Sequence, residues 1–226
     1  MRTLIIGNGD GIGLALTKRL LGDGEFVTGV SRRFLDPIGE RHVQHVLDVL
    51  NPKFPELLAT IVAESGPIDT LVYCAGIGEL FQTSGVDLDG DTIRVNLAAL
   101  ADAVCAVLPG MRAKGSGRII GVSSIGDRAS PDAPSYGASK AGMTAYLLGL
   151  RRPLGRLGVR VSAVRFGFVD TKMAKSKIRP MMITTDRATE VMLDVIKHGP
   201  AIKTHPLTTE ILASILTALT CWRLRK

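Results

Sequence analysis

The chain has 226 residues, of which 46% are hydrophobic and 22% charged, and its 28 Lys and Arg against 21 Asp and Glu give a formal charge of +7. This usage excludes disordered and fibrous classes, carries enough apolar surface for a sizeable core, and suits one α/β domain. The positive charge is compatible with an anionic ligand, a nucleic acid or an acidic membrane surface, and does not choose among them.

A short apolar run, Thr3 to Ile6, ends in glycines and is followed by Ile12, Leu14, Ala15, Leu16, Leu20 and Leu21, so the apolar period changes from strand-like to helix-like across the glycines. The alternation continues. Phe26 to Val30 and Val43 to Leu47 read as strands, Phe54 to Glu64 as a helix and Asp69 to Tyr73 as a buried strand. Then come a helix around Asp87 to Leu108, the strand Arg118 to Val122, a helix near Ser135 to Arg156 and the strand Val159 to Val164. Regular β–α alternation predicts an α/β fold, a single-domain Rossmann-type, doubly wound parallel sheet with helices on both faces, over residues 1–226.

Cys74, Cys105 and Cys221 are too few and too scattered for a disulfide framework or a zinc site, so no metal is expected and a reducing, cytoplasmic setting is the natural reading. Met-Arg-Thr-Leu-Ile-Ile-Gly lacks the apolar core of a secretory signal. The longest membrane candidate, Ile211 to Trp222, falls short of the ~20 residues that a spanning helix needs. Basic residues concentrate between Arg151 and Arg179, nine against the single acid Asp170; they read either as solvated charge or as an attractor for an anionic cofactor or substrate.

Gly7-Asn-Gly9-Asp10-Gly11-Ile12-Gly13 leaves the first strand and opens the first helix. Unpaired backbone N–H groups and the helix dipole attract phosphate there, and glycines let a pyrophosphate approach the main chain. NAD-binding folds of this type place an acid at the end of the second strand to bond the ribose hydroxyls. Here that place reads Ser31-Arg32-Arg33, which suits the 2′-phosphate of NADP(H), because a guanidinium fork matches phosphate oxygens.

Tyr136 and Lys140 are four apart at the start of a helical run, which puts phenol and ammonium on one face, where the lysine would lower the phenol's pKa toward neutrality. Ser123 and Ser124 end the preceding strand, at the carboxyl edge where such sheets bind ligands.

On these residues the chain resembles the short-chain dehydrogenase/reductase family over almost its whole length. The Gly7, Gly11 and Gly13 turn is similar to the family's cofactor turn, Asp48-Val49 to its adenine-contacting pair, Cys74-Ala75-Gly76 to its Asn-Ala-Gly segment, and Asn96 to its helix-four asparagine. Gly117 to Ser124, followed by Tyr136 and Lys140, is similar to its catalytic centre. The chain departs from the pattern at Ile6, Cys74 and Phe166, where the family more often has Thr, Asn and Pro. The catalytic serine has two alignments. The strand selects Ser124, 12 residues before Tyr136, and the family's usual spacing selects Ser123; the strand is preferred, because it decides which side chain faces the site.

The resemblance implies hydride transfer between a nicotinamide and a carbonyl or secondary alcohol, by a carbonyl reductase or an alcohol dehydrogenase. Tyr136 would handle the proton, Ser124 the substrate oxygen, Lys140 the nicotinamide ribose and Asn96 a water relay. Gly167, Val169 and Thr171, after the sixth strand, would also touch the cofactor, and residues 165–226 would form a substrate lid, Phe166 through Met182, and a C-terminal helix, the lid carrying Phe168, Met173, Met181 and Met182 as an apolar wall. The partner would be a small-molecule substrate rather than a nucleic acid, and a homodimer or homotetramer would be usual. Leu207 to Lys226 has helical apolar spacing and could pack on the domain, on a second subunit or on a membrane surface. A non-enzymatic NADP-binding regulator on the same fold is the alternative reading.

Overall fold

A computed structural model of the chain describes residues 1–78, 89–128, 130, 132–174, 179–209 and 211. Seven parallel strands form one sheet: β1 (Arg2–Ile6), β2 (Phe26–Ser31), β3 (His42–Val46), β4 (Thr70–Tyr73), β5 (Gly117–Ser124), β6 (Val159–Phe166) and β7 (Ile202–His205), in the order β3-β2-β1-β4-β5-β6-β7. The direction of winding reverses between β1 and β4, where Ile6 pairs with Tyr73, and such a reversal opens a crevice at the carboxyl ends of the strands.

One face of the sheet packs Phe54, Leu58 and Ile61 of α2 (Phe54–Ser65), Leu100, Val104 and Met111 of α4 (Ala99–Lys114), and Met143 and Leu147 of α5 (Pro134–Gly155). The other packs Leu16 and Leu20 of α1 (Gly11–Gly22) with Val191, Met192 and Val195 of α6 (Thr185–His198). Central strands buried on both faces read as continuous apolar runs, as Leu4, Ile5 and Ile6 do.

Three features go beyond the sequence reading. The helix expected from Asp87 is a short α3 (Asp89–Ile93), a π turn at Arg94–Ala98 and then α4. Tyr73, at the end of β4, donates to the Val95 carbonyl at 2.5 Å and so anchors that turn. Past β6 the chain adds α6 and β7; Thr184 caps α6 by accepting from the Arg187 N–H, and Ala188, Val191, Met192, Val195 and Ile196 are its buried stripe. Finally, Gly90–Lys114 is a longer apolar stretch than Ile211 to Trp222, with a mean hydropathy of 1.5 in its most apolar window. Leu100, Ala103, Val104, Val107 and Met111 account for that apolarity by packing into the core. Of the terminal segment expected as a helix, 210 and 212–226 lie outside the described residues.

Candidate active site

The glycine turn crosses the crevice between β1 and β4. Gly7 has φ 91°, and a Cβ there would lie 2.4 Å from the Ala75 nitrogen; one on Gly13 would lie 2.2 Å from the Gly7 carbonyl oxygen. Glycine is therefore required at both places by close backbone approach. Asp10 caps α1, its Oδ1 accepting from the Gly11 N–H at 2.8 Å, and its Oδ2 meets Lys172 Nζ at 2.9 Å and Arg33 at 3.3 Å. Lys172 first, then the Gly11 N–H, holds the Asp10 carboxyl below its usual range. Ile12 packs against the core on the α1 side.

Asn8, absent from the expected site, is fully buried and exchanges side-chain hydrogen bonds with Gln44 on β3 at 2.7 and 3.3 Å. Gly29 makes room for it, because a Cβ there would lie 2.0 Å from Asn8 Nδ2. Gly9 approaches the Ser31 side chain. Ser31 is buried and donates to the Arg33 carbonyl at 2.6 Å, so its proton points along the chain; Arg32 and Arg33 are exposed just beyond it. Asp48 caps the following turn through Leu50 N–H at 2.9 Å, and Val49 leans on the core. Past β6, Val169 is buried and bridges Ile183, Thr171 rests against Gly11, and Gly167 lies against Thr209. Backbone approach at Gly7, the turn that leads into α1 and two exposed guanidiniums at the end of β2 form a cradle that fits a phosphorylated dinucleotide.

Tyr136 and Lys140 open α5 on one face, with the Lys140 nitrogen 5.8 Å from the centroid of the Tyr136 ring. Lys140 is 4% exposed and donates to the Val122 carbonyl at 2.8 Å. The Tyr136 ring lies over Gly78, where a Cβ would stand 2.6 Å from a ring carbon, and Gly76 keeps the space beside Lys140 Nζ open. Ser124 lies beside the Tyr136 ring, since a Cβ on Gly126 would stand 3.5 Å from both Ser124 Oγ and a Tyr136 ring carbon, and its Oγ accepts from the Gly126 N–H at 3.1 Å, where it caps a 3-10 turn over Ile125–Asp127.

Ser123 faces the other way. It is 3% exposed beneath α5, with its Oγ 2.8 Å from Thr144 Oγ1 and 3.2 Å from the Lys140 carbonyl. The side chain of Asn96, in the π turn, holds the loop after β4: it accepts from the Ile77 N–H and donates to the Ile77 carbonyl, both at 2.8 Å, and donates to Ser139 at 2.9 Å.

The expected lowering of the phenol's pKa is not what the geometry produces. Burial raises Tyr136, the neighbouring Ser124 hydroxyl opposes that, and the Asp127 charge adds to it. Burial instead lowers Lys140 to about 8, against which the neighbouring Cys74 acts weakly. A lysine enclosed in protein gives up charge before it can stabilise a phenolate. Cys74 is itself raised to about 12 by burial, so it stands beside Lys140 as a neutral thiol.

Four of the nine cations of the basic segment have structural partners. Arg151 donates to the Val161 and Gly199 carbonyls, Arg160 to the Lys197 carbonyl, Arg165 pairs with Asp127 and Lys172 with Asp10. Of the expected apolar wall, Met173 reaches Gly76, Met181 and Met182 are each 42% exposed, and Phe168 is half-buried; 175–178 lie outside the described residues.

The chain matches the family model of the short chain dehydrogenases over residues 2–181. It is 32% identical over 183 residues to the 3-oxoacyl-[acyl-carrier-protein] reductase FabG of Vibrio cholerae, covering 76% of this chain and 75% of that protein. The chain belongs to the short-chain dehydrogenase family. Another family relative is the short-chain reductase protein NovJ of Streptomyces niveus, 36% identical over 183 residues, with 75% of this chain and 70% of that protein covered. Among solved structures, a short-chain dehydrogenase from Burkholderia cenocepacia in complex with NADP superposes with a TM-score of 0.87 at 25% identity, over 99% of this chain and 96% of that one. An actinorhodin polyketide ketoreductase variant with NADPH gives 0.77 at 25% identity, over 90% and 95%.

Proposed function

We propose that this short-chain dehydrogenase is an NADP(H)-dependent reductase of 3-oxoacyl-type ketones. The oxidoreductase class follows from the family, and the ketone class from relatives named as 3-oxoacyl and ketoacyl reductases. The observation that carries the reading is the clustering of Ser124, Tyr136 and Lys140 at the carboxyl end of the sheet: a Cβ on Gly126 would lie 3.5 Å from both Ser124 Oγ and a Tyr136 ring carbon, and Lys140 Nζ is 5.8 Å from the centre of that ring. Bound NADPH would supply the hydride, held by the Gly7 to Gly13 turn and by Arg32 and Arg33.

In the reduction the carbonyl carbon takes the hydride and the carbonyl oxygen takes the Tyr136 proton. Ser124 holds that oxygen as charge develops on it, an electrostatic contribution that is large in enclosed sites. Lys140, titrating near neutrality, returns a proton to the tyrosine side. Asn96 is a positioning residue in this scheme, because its amide hydrogens are spent on Ile77 and Ser139. A cytoplasmic homodimer or homotetramer belongs to the same reading. The test is loss of nicotinamide absorbance with an acetoacetyl thioester against simple aldehydes, simple ketones and quinones, each with NADPH and with NADH. Turnover of the thioester with NADPH is expected; preference for a simple aldehyde or quinone would overturn the ketone class.

A further inference from the structure

Behind the site runs a buried polar chain that the proposed chemistry does not use. Arg165 on β6 pairs with Asp127 Oδ1 at 2.6 Å, with side chains only 7% and 6% exposed. Thr144 on α5 donates to Asp127 Oδ2 at 2.9 Å, and Ser123 on β5 meets Thr144 at 2.8 Å. An ionised carboxylate only accepts, so Thr144 spends its one proton on Asp127, and the single Ser123 proton is shared between Thr144 and the Lys140 carbonyl at 3.2 Å. Arg165 also reaches Thr204 on β7 at 3.5 Å. Taking two charges out of water is costly, and a buried pair is weak evidence of stability. Its position points to another use, since Asp127 ends the turn that begins at Ser124, and a Cβ on Gly126 inside that turn would lie 3.5 Å from both Ser124 Oγ and a Tyr136 ring carbon.

We propose that Asp127 and Arg165 form a positioning pair that holds the Ser124 to Asp127 turn against the head of α5 and keeps the charge behind Tyr136 balanced. The pair acts through Ser124 and Tyr136 and so rests on the reading of Tyr136 as the proton donor. Among the described residues, three groups face Tyr136 from the elements around it: Ser124 at the end of β5, Asp127 in the turn and Lys140 on α5, with Cys74 beyond Lys140 after β4. Asp127 is faced by Arg165 from β6 and by Thr144 from α5, and Arg128, next in the chain, is exposed. Burial is the main cause that raises Tyr136 and the Asp127 carboxylate adds to it, while Arg165 pairs with that carboxylate.

The experiment compares Asp127→Asn, Arg165→Met and the double variant with the unchanged protein, in two readouts. The first is titration of tyrosinate absorbance, with the Tyr136 signal isolated by subtracting the same titration of Tyr136→Phe. Asp127→Asn should lower the midpoint, Arg165→Met should raise it, and the double variant should return it close to the original. The second is acetoacetyl thioester reduction. Arg165→Met should lose roughly tenfold or more in kcat, with KM and NADPH affinity nearly unchanged, and removing the orphaned carboxylate in the double variant should restore most of it.

Unmoved midpoints, or a double variant as impaired as Arg165→Met, would overturn the proposal and leave the pair with a purely structural role. If Arg165→Met does not fold, Asp127→Asn and the uncharged double variant decide the matter. Shifted midpoints in proteins that turn over no substrate would support the pair and reject the proposed activity.

Discussion

The side-chain nitrogen of Lys140 lies 5.8 Å from the ring centroid of Tyr136 while it donates to the Val122 carbonyl at 2.8 Å. Helix, strand and ring are thus joined at one enclosed nitrogen, and burial lowers its pKa to about 8. Its charge is most costly where the folded protein must carry it. Below about pH 8 the folded and unfolded chains both hold this proton and the burial cost is complete. Between that value and the ordinary lysine range the unfolded chain binds more protons, so stability rises with pH. Lys140→Met should therefore raise the Tm by several degrees at about pH 6.5, with the gain fading by about pH 10.5. Thermal unfolding of both proteins across that window is the measurement, and a gain that grew with pH would contradict it.

Tyr136→Phe should abolish reduction, with a loss on the order of 10² or more in kcat, and leave NADPH affinity within a few-fold. The substitution removes one hydroxyl and leaves the turn from Gly7 to Gly13 untouched. Fluorescence titration of NADPH beside a turnover assay separates the two effects.

The two adjacent serines should differ sharply. Ser124→Ala should cost roughly 10²–10³ in kcat, as loss of a donor to a developing oxyanion does. Ser123→Ala should cost little at the chemical step and appear mainly as lower stability, on the order of 1 kcal/mol, because it breaks a buried hydrogen bond to Thr144. The comparison needs kcat and denaturant midpoints for both variants; equal losses in kcat would contradict it.

Arg32→Ala should narrow the preference for NADPH over NADH by about tenfold or more, the scale of one charge-assisted contact to phosphate. Arg33 is expected to contribute less, because it meets Asp10 at 3.3 Å. Dissociation constants for both cofactors, at one stated ionic strength, measure the difference.

Gly7→Ala should abolish cofactor binding and lower stability. The residue has φ 91°, and the new methyl would lie 2.4 Å from the Ala75 nitrogen, with no flexible side chain to yield. Circular dichroism separates a folded protein that has lost binding from one that does not fold; ordinary NADPH affinity in a stable Gly7→Ala protein would refute the close approach.

The parallel sheet, the glycine turn and the pairing of Tyr136 with Lys140 were all legible in the chain, because each depends on short-range spacing: alternating apolar periods, glycines at a strand end and a four-residue helical repeat. The end of β2, with two arginines and no acid, was legible for the same reason. The helix α6 also carried a readable local signal, in its cap Thr184 and the apolar stripe from Ala188 to Ile196.

What depended on distance in the chain was decided only by folding. Asp127 and Arg165 are 38 residues apart and Asn8 and Gln44 are 36 apart, and nothing local in either segment announces its partner. The strand order brings them together. Alternation alone turned Ser123 and Ser124 in different directions, but their partners came from α5 and the 3-10 turn. The electrostatics went the same way: a lysine four residues from a tyrosine reads as a cation that depresses the phenol, and only enclosure within the sheet and α5 shows that Lys140 loses charge first. Spacing along the chain is a property of sequence, whereas desolvation exists only once the surrounding elements have closed over the group.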